Sequence, residues 1–307
     1  MTDHDLTGLE KPIFIIGSPR SGTTVFMNII SFHPSFAYPS NYVNRFPSLP
    51  ELSLLSRVHD LPLIGGYFKK SYDRKLVPSP VEAWSFFNAI DSTFRDLSRA
   101  ADKLGEAKLT EEVVQNYHAR FRKILKWHNR KRLIAKYTHR PRIEYFNQIF
   151  QAPYFLHVQR NPLAVVHSMY QKRVRENWFY EEQEAWKEFW GEEIWNEIKH
   201  AKFSDLAYLS YLYSEFMKRI RGQRSNIPEK RFMDIDYCDF TEHKLNIFRE
   251  VLDFLELDWS KDFETWVKHF SVENKNYKYK KTFDERQLRL SKEIIERQMG
   301  AAMDGVF

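Results

Sequence analysis

Short runs of consecutive apolar residues alternate along this chain with longer stretches in which apolar residues recur every three or four positions. Runs of this length, bounded by polar or glycine residues, are typical of buried strands. They lie at residues 13–16, 133–135, 154–158 and 231–235. Each run is followed by a stretch with helical spacing. Continuous apolar strands that alternate with helices predict an α/β fold with a P-loop-like central parallel sheet, covered on both faces by many helices.

The helical spacing predicts about twice as many helices as strands. After the helix that follows the first run, helices are expected at residues 80–99, 111–129, 143–150, 163–176, 181–200, 204–221, 244–255 and 283–299. Residues 36–77 contain four of the 13 prolines and predict an extended or irregular insertion. The chain has no internal repeat, low-complexity tract or Gly/Ser linker, so we expect residues 1–307 to form a single domain.

The composition narrows the class of protein. Hydrophobic residues make up 43% of the 307 residues, which excludes a disordered or fibrous chain. The net charge of +6 favours an anionic ligand, but basic and acidic residues are interleaved, so no nucleic-acid partner is expected. Cys238 is the sole cysteine, which leaves neither an internal disulfide nor a Cys-based zinc site.

The distribution of apolar residues also bears on where the protein lies in the cell. No apolar stretch approaches the roughly 18 residues that a membrane-spanning helix needs. The polar, acidic N-terminal residues lack the charged-then-apolar order of a signal peptide. We therefore expect a cytoplasmic protein without a transmembrane segment.

One eight-residue segment carries the clearest chemical signal. It lies between the first predicted strand and the first helix and reads Gly17, Ser18, Pro19, Arg20, Ser21, Gly22, Thr23 and Thr24. In such a turn the backbone amides and the positive end of the helix converge on one anion. The frame is close to the Walker A motif, G-x-x-x-x-G-K-[ST], but Thr23 occupies the lysine position and Arg20 adds a cation inside the loop. The missing lysine weighs against a magnesium-nucleotide kinase. The alternative without a ligand is an ordinary strand-to-helix turn with a threonine cap.

This loop resembles the 5′-phosphosulfate loop of sulfotransferases that use 3′-phosphoadenosine-5′-phosphosulfate (PAPS). A second motif has the family's spacing, because Arg160 follows the predicted strand at 154–158 and Ser168 follows eight residues later. The resemblance implies that residues 18–24 bind the 5′-phosphosulfate and that Arg160 and Ser168 hold the 3′-phosphate. A planar fork of donors and a hydroxyl in the first turns of a helix suit a phosphate. Taken alone, Arg160 would more often pair with a surface acid.

The same resemblance implies which groups take part in the chemistry. Family members often place a lysine at the end of the second apolar run, facing the sulfuryl group, which corresponds here to Lys136; Arg20 is the second cation. The acceptor hydroxyl also needs a base. His139 lies near the position of the histidine of cytosolic members, and its alternative is a surface-loop residue. Glu82 resembles the Pro-x-Glu of some bacterial members, yet with Ser79 it also has the spacing of a capping box.

We therefore expect a sulfotransferase that moves a sulfuryl group from PAPS to a hydroxyl of a carbohydrate or another small metabolite, without a metal. A P-loop kinase for a small molecule and a non-catalytic nucleotide-binding protein on the same fold are the alternatives. The basic segment at residues 274–281 is either a solvated loop or a lid over the donor or contact for an anionic acceptor. The sequence leaves the acceptor and the oligomeric state open.

Overall fold

The computed structural model describes residues 9–61, 65–71, 76–92, 109–138, 141–176 and 183–300. Its centre is a sheet of five strands: β1 (Ile13–Ile16), β2 (Phe36–Ala37), β3 (Arg132–Tyr137), β4 (Tyr154–Gln159) and β5 (Phe232–Asp236). Their spatial order is β2-β3-β1-β4-β5, and all four pairings are parallel. The four predicted runs lie in this sheet, so the predicted parallel sheet is confirmed. The two-residue β2 is too short to produce a pattern in the sequence.

The register of the sheet brings several strand ends together. Ile16, the last residue of β1, is paired with Tyr137 of β3 on one side and with His157 of β4 on the other. β4 continues to Gln159, which is paired with Asp236 at the end of β5. The two strands that follow β1 in the sequence lie on one side of it, and β4 and β5 lie on the other. The strand order therefore reverses direction at β1. In open α/β sheets, ligands bind at such a topological switch point, outside the carboxyl ends of the strands.

Thirteen α-helices surround the sheet in the described part of the chain. They are α1 (Thr23–Ile30), α2 (Asn41–Arg45), α3 (Gly65–Lys70), α4 (Trp84–Ile90), α5 (Glu111–His128), α6 (Ile143–Ile149), α7 (Pro162–Glu176), α8 (Gln183–His200), α9 (Ser204–Arg224), α10 (Tyr237–Glu242), α11 (Lys244–Phe254), α12 (Lys261–His269) and α13 (Glu285–Met299). The predicted helices from residue 111 onward are confirmed as α5 to α9, α11 and α13. The short α10 and α12 are additions to the predicted set.

Alternate residues of the strands face two hydrophobic cores, one on each side of the sheet. Phe14 packs on one side, where its ring stacks on Phe146 of α6 at 4.1 Å between ring centroids. Ile13 packs on the other side, where Phe26 of α1 stacks on Phe248 of α11 at 5.1 Å. Helices therefore cover both faces, as predicted. Within the described ranges, none of the helices combines the length and the apolar composition that a membrane span requires.

The predicted irregular insertion at residues 36–77 is wrong. The described part of this segment contains β2, α2, an 11-residue 3₁₀ helix (Pro50–Asp60) and α3. The 3₁₀ helix buries every third residue, Pro50, Ser53, Ser56 and His59. This repeat matches the three residues per turn of a 3₁₀ helix. Because most of the buried residues are polar, a search for apolar residues at the α-helical period does not detect the element.

The helix predicted at residues 80–99 begins later than expected. α4 starts at Trp84 and ends at Ile90, and residues 93–108 lie outside the described part of the chain. Residues 79–81 are extended instead, with an antiparallel bridge between Ser40 and Pro80. The amide of Val81 donates to the carbonyl oxygen of Pro39 at 3.3 Å. This pairing between distant segments keeps residues 79–81 out of the helix.

Candidate functional site

The loop between β1 and α1 has backbone φ angles that few residue types adopt. Gly22 has φ 103°, and a Cβ atom at this position would lie 2.4 Å from the ring of Tyr237. Both the positive φ and the close approach of the ring require glycine. Arg20 also has a positive φ, 71°, which is uncommon for a residue with a side chain and occurs at functional sites. The loop is therefore held in one shape between the strand and Tyr237.

The N-terminal end of α1 offers free hydrogen-bond donors. Gly22 precedes the helix without a side-chain cap, and its first turn contains no acidic residue. Ser21 is buried, and its hydroxyl has no hydrogen-bond partner among the described residues. Unpaired amides and the positive end of the helix dipole favour an anion at this place. Within the described ranges no threonine side chain caps α1, which contradicts the alternative of an ordinary turn with a threonine cap.

Two arginines and a serine meet beside the loop. The Nε atom of Arg20 donates to the Oγ atom of Ser168 at 3.0 Å, although 148 positions separate them. Arg160 donates from Nη1 to the backbone oxygen of Arg20 at 3.1 Å, and its guanidinium lies 4.7 Å from the ring centroid of Tyr237. Burial lowers the pKa of Arg160, and the charge of Arg20 acts in the same direction. Among the described residues neither arginine forms an ion pair, so the alternative role of Arg160, pairing with a surface acid, is not found there.

Residues 273–276 lie against Arg160 and Tyr237. Arg160 donates from Nη2 to the carbonyl oxygen of Lys275 and from Nε to Asn276 Oδ1, the latter at 3.4 Å. The hydroxyl of Tyr237 donates to the carbonyl oxygen of Glu273 at 3.1 Å. The basic segment at 274–281 is therefore packed against Arg160 and is not only a solvated loop.

A lysine and a carboxylate complete the site on the other side of the loop. The Nζ atom of Lys136 donates to Oγ1 of Thr24 at 2.7 Å and lies 3.2 Å from Oε2 of Glu82. Both side chains are largely buried, with 7% exposure for Lys136 and 17% for Glu82. Oε1 of Glu82 accepts hydrogen bonds from the amide of Thr138 at 2.6 Å and from its hydroxyl at 2.7 Å. These four residues thus connect the end of β3 to the start of α1.

Hydrogen bonds of Asn41 hold the segment that precedes Glu82. Its amide donates to the carbonyl oxygen of Ser79 and its side-chain Nδ2 donates to that of Val77, both at 3.0 Å. Its Oδ1 accepts from the amide of Ser79 at 3.1 Å. α4 begins after Glu82, with Ala83 at its N-cap and no side-chain cap. The capping-box alternative for Ser79 and Glu82 is therefore wrong.

The structure brings most of the predicted site residues together. Residues 18–24, Lys136, Glu82, Arg160 and Ser168 surround the carboxyl ends of β1, β3 and β4. His139 lies outside the described residues. Two further residues of the site, Tyr237 and the hydrogen-bond donor Thr138, were not predicted from the sequence. The described residues contain no group of three or more His, Cys, Asp and Glu side chains that would hold a metal ion.

Known proteins share both the sequence pattern and the fold. Residues 12–261 match the model of the Sulfotransferase family. An uncharacterized protein of Aquifex aeolicus (strain VF5) is 23% identical over 256 residues, which cover 81% of this chain and 26% of that protein. The chain therefore spans about a quarter of the length of this relative.

Solved structures of low sequence identity have the same fold. Sulfotransferase STF9 from Mycobacterium avium superposes with a TM-score of 0.64 at 13% identity, covering 96% of this chain and 76% of that chain. Mouse sulfotransferase SULT7A1, solved in complex with PAP, gives a TM-score of 0.50 at 11% identity, covering 99% of this chain and 92% of that chain.

Proposed function

Because the chain belongs to the sulfotransferase family, we propose that it moves a sulfuryl group from PAPS to a hydroxyl of a carbohydrate or another small metabolite. The observation that carries this proposal is the contact of Lys136 with both Glu82 and Thr24. It places an ammonium and a carboxylate side by side at the loop that would bind the reacting group. Sulfuryl transfer needs a cation for the leaving oxygen and a base for the acceptor proton.

The residues present fit this donor. PAPS carries anionic groups at two separate positions, and the site has two sets of hydrogen-bond donors. The uncapped end of α1 and the hydroxyl of Ser21, which has no partner in the described part of the chain, suit the 5′-phosphosulfate. The guanidinium of Arg160 and the hydroxyl of Ser168 suit the 3′-phosphate, with Arg20 between the two sets. The complex of mouse SULT7A1 with PAP supports this choice of donor.

The donor supplies the activated sulfuryl group when it is bound, and the side chains of this chain orient it and handle the proton. Thr138 holds Oε1 of Glu82 with two hydrogen bonds, so Oε2 is the atom that we assign to accept the proton of the acceptor hydroxyl. Lys136 stabilises the negative charge that develops on the leaving oxygen. Arg20 acts as a second cation. His139 is the alternative base, and Arg160 and Ser168 bind without taking part in proton transfer.

The proposal is tested by incubating the protein with labelled donor and a panel of sugars, phenols and alcohols, in EDTA and in magnesium. We expect label to appear in an acceptor at the same rate in both conditions. Lys136→Ala should slow the transfer about 10²- to 10³-fold, whereas Lys268→Ala, which removes an exposed ion pair on α12, should not. Magnesium-dependent phosphoryl transfer from ATP would support the kinase alternative instead. Tight binding of adenosine 3′,5′-bisphosphate (PAP) without turnover of any acceptor would support the non-catalytic alternative.

A further inference from the structure

The exposed apolar side chains are concentrated in one part of the molecule. Of the ten large ones within the described ranges, seven fall between residues 46 and 76, and each is at least 41% exposed. They are Phe46, Leu49, Leu54, Leu55, Leu61, Tyr67 and Leu76. We call this set the insertion face. Single exposed apolar residues are ordinary on a protein surface, but a group of this size marks an interaction site.

Local contacts connect the elements that carry these residues. The hydroxyl of Tyr42 in α2 donates to the carbonyl oxygen of Leu76 at 2.9 Å. Phe46 lies four residues after Tyr42, on the same side of that helical turn. The amide of Leu49 donates to the carbonyl oxygen of Phe46 at 2.9 Å. Both α2 and α3 pack against the 3₁₀ helix, which carries Leu54 and Leu55.

The 3₁₀ helix is folded with its polar side inward. Ser56 and His59 are buried, whereas Leu54 and Leu55 are exposed. His59 donates from Nε2 to the carbonyl oxygen of Pro78 at 2.6 Å, which fixes the buried side against the extended segment. A surface helix in water normally has the opposite arrangement. The leucines therefore face outward because the histidine and serine side is held by the fold, and they are available to an apolar partner.

Among the described residues around the insertion face, positive charge is in excess. The two acids in the described part of residues 46–76 are Glu51 and Asp60, and cations from outside this segment neutralise both. Glu51 pairs with Lys123 at 2.8 Å. Asp60 pairs with Arg130 at 2.5 Å. Three exposed cations form no ion pair with a described residue: Arg45, Arg57 and Lys70.

We propose that the insertion face docks on a membrane surface that contains anionic lipids. Exposed leucine, phenylalanine and tyrosine side chains would enter the headgroup region, and the three cations would contact lipid phosphates. A second copy of the chain is a poorer occupant, because a twofold dimer through this face would bring the same cations together. Docking would bring the extended segment that precedes Glu82 close to the lipid surface, since His59 binds that segment.

Sedimentation of the full chain with lipid vesicles tests the docking surface. We expect binding to vesicles of equal parts phosphatidylcholine and phosphatidylglycerol, no binding to phosphatidylcholine alone, and weaker binding at high salt. Replacing both leucines, Leu54→Ser with Leu55→Ser, should reduce binding about tenfold or more. The matched control is Val174→Ser, at an exposed position of α7 that lies outside the insertion face.

The charge contribution is tested separately. Arg57→Ser should weaken binding to the anionic vesicles about fivefold. Arg289→Ser, at an exposed position of α13, should leave it unchanged. Equal binding to both kinds of vesicle, or to neither, overturns the proposal. So does a dimer in sedimentation equilibrium that is lost in the double leucine variant. Calorimetry with adenosine 3′,5′-bisphosphate on the same samples tests the proposed function independently.

Discussion

Lys136 and Thr24 are 112 positions apart in the sequence, yet Nζ of the lysine lies 2.7 Å from Oγ1 of the threonine. Lys136 lies in β3, and Thr24 lies in α1, which follows β1. The two strands are neighbours, and Ile15 of β1 is paired with Lys136. The loop itself has Thr23 in the position of the Walker A lysine. The neighbouring strand therefore supplies the amino group that the loop lacks.

Lys136→Ala should lower turnover about 10²- to 10³-fold, because its charge is needed most in the transition state. Affinity for adenosine 3′,5′-bisphosphate should fall less than about tenfold. Steady-state kinetics and calorimetry on the same sample measure the two effects, and Lys268→Ala is the control. Equal losses in turnover and affinity would reduce Lys136 to a binding residue.

Asn41→Ala should lower turnover about tenfold to a hundredfold without changing donor affinity, since small displacements of a catalytic group have effects of this size. The side chain of Asn41 holds the segment that places Glu82. Asn44→Ala is the matched control, because Asn44 Oδ1 accepts from the amide of Ser85 at 2.8 Å, at the start of α4. Turnover and thermal stability of both variants should be compared. A similar fall in turnover for the two asparagine variants would argue against positioning by Asn41.

The sequence predicts the parts of this site that are local. A strand, a glycine-framed loop and a helix follow one another within residues 13–30, so their pattern can be read directly. The place of Glu82 depends on pairing between residues 39–41 and 79–81, which leaves no periodic signal. The stacking of Arg160 on Tyr237 likewise joins the ends of β4 and β5. Local patterns therefore do not predict these contacts between distant segments; Lys136, Arg160 and Ser168 were assigned to the site through the family resemblance.

Gly22→Ala should destabilise the protein by about 1–3 kcal/mol, because the new Cβ meets the ring of Tyr237 at a positive φ. Donor affinity should fall as well, since the displaced loop carries the anion-binding amides. Gly222→Ala is the control: Gly222 lies within α9, and nothing lies within 4 Å of an added Cβ, so alanine should be neutral or stabilising. Thermal unfolding of both variants checks the prediction, which fails if the two behave alike.

Glu82→Gln should lower turnover about 10²- to 10⁴-fold if Glu82 is the base. The fold should be preserved, because the glutamine oxygen can still accept hydrogen bonds from Thr138. His139→Ala should then be mild. Kinetics of both variants, with donor affinity as the control, separate the two assignments. The reverse pattern would make His139 the base and leave Glu82 as a partner of Lys136.

We propose that this site binds a nucleotide with phosphates at both the 5′ and 3′ positions. Calorimetric titration with adenosine 3′,5′-bisphosphate and with AMP tests it most directly, because no acceptor has to be known. We expect the bisphosphate to bind about ten- to a hundredfold more tightly, since AMP lacks the group that faces Arg160 and Ser168. Arg160→Ala should remove that preference while the chain stays folded. Equal affinity of the unaltered protein for the two nucleotides would contradict the account.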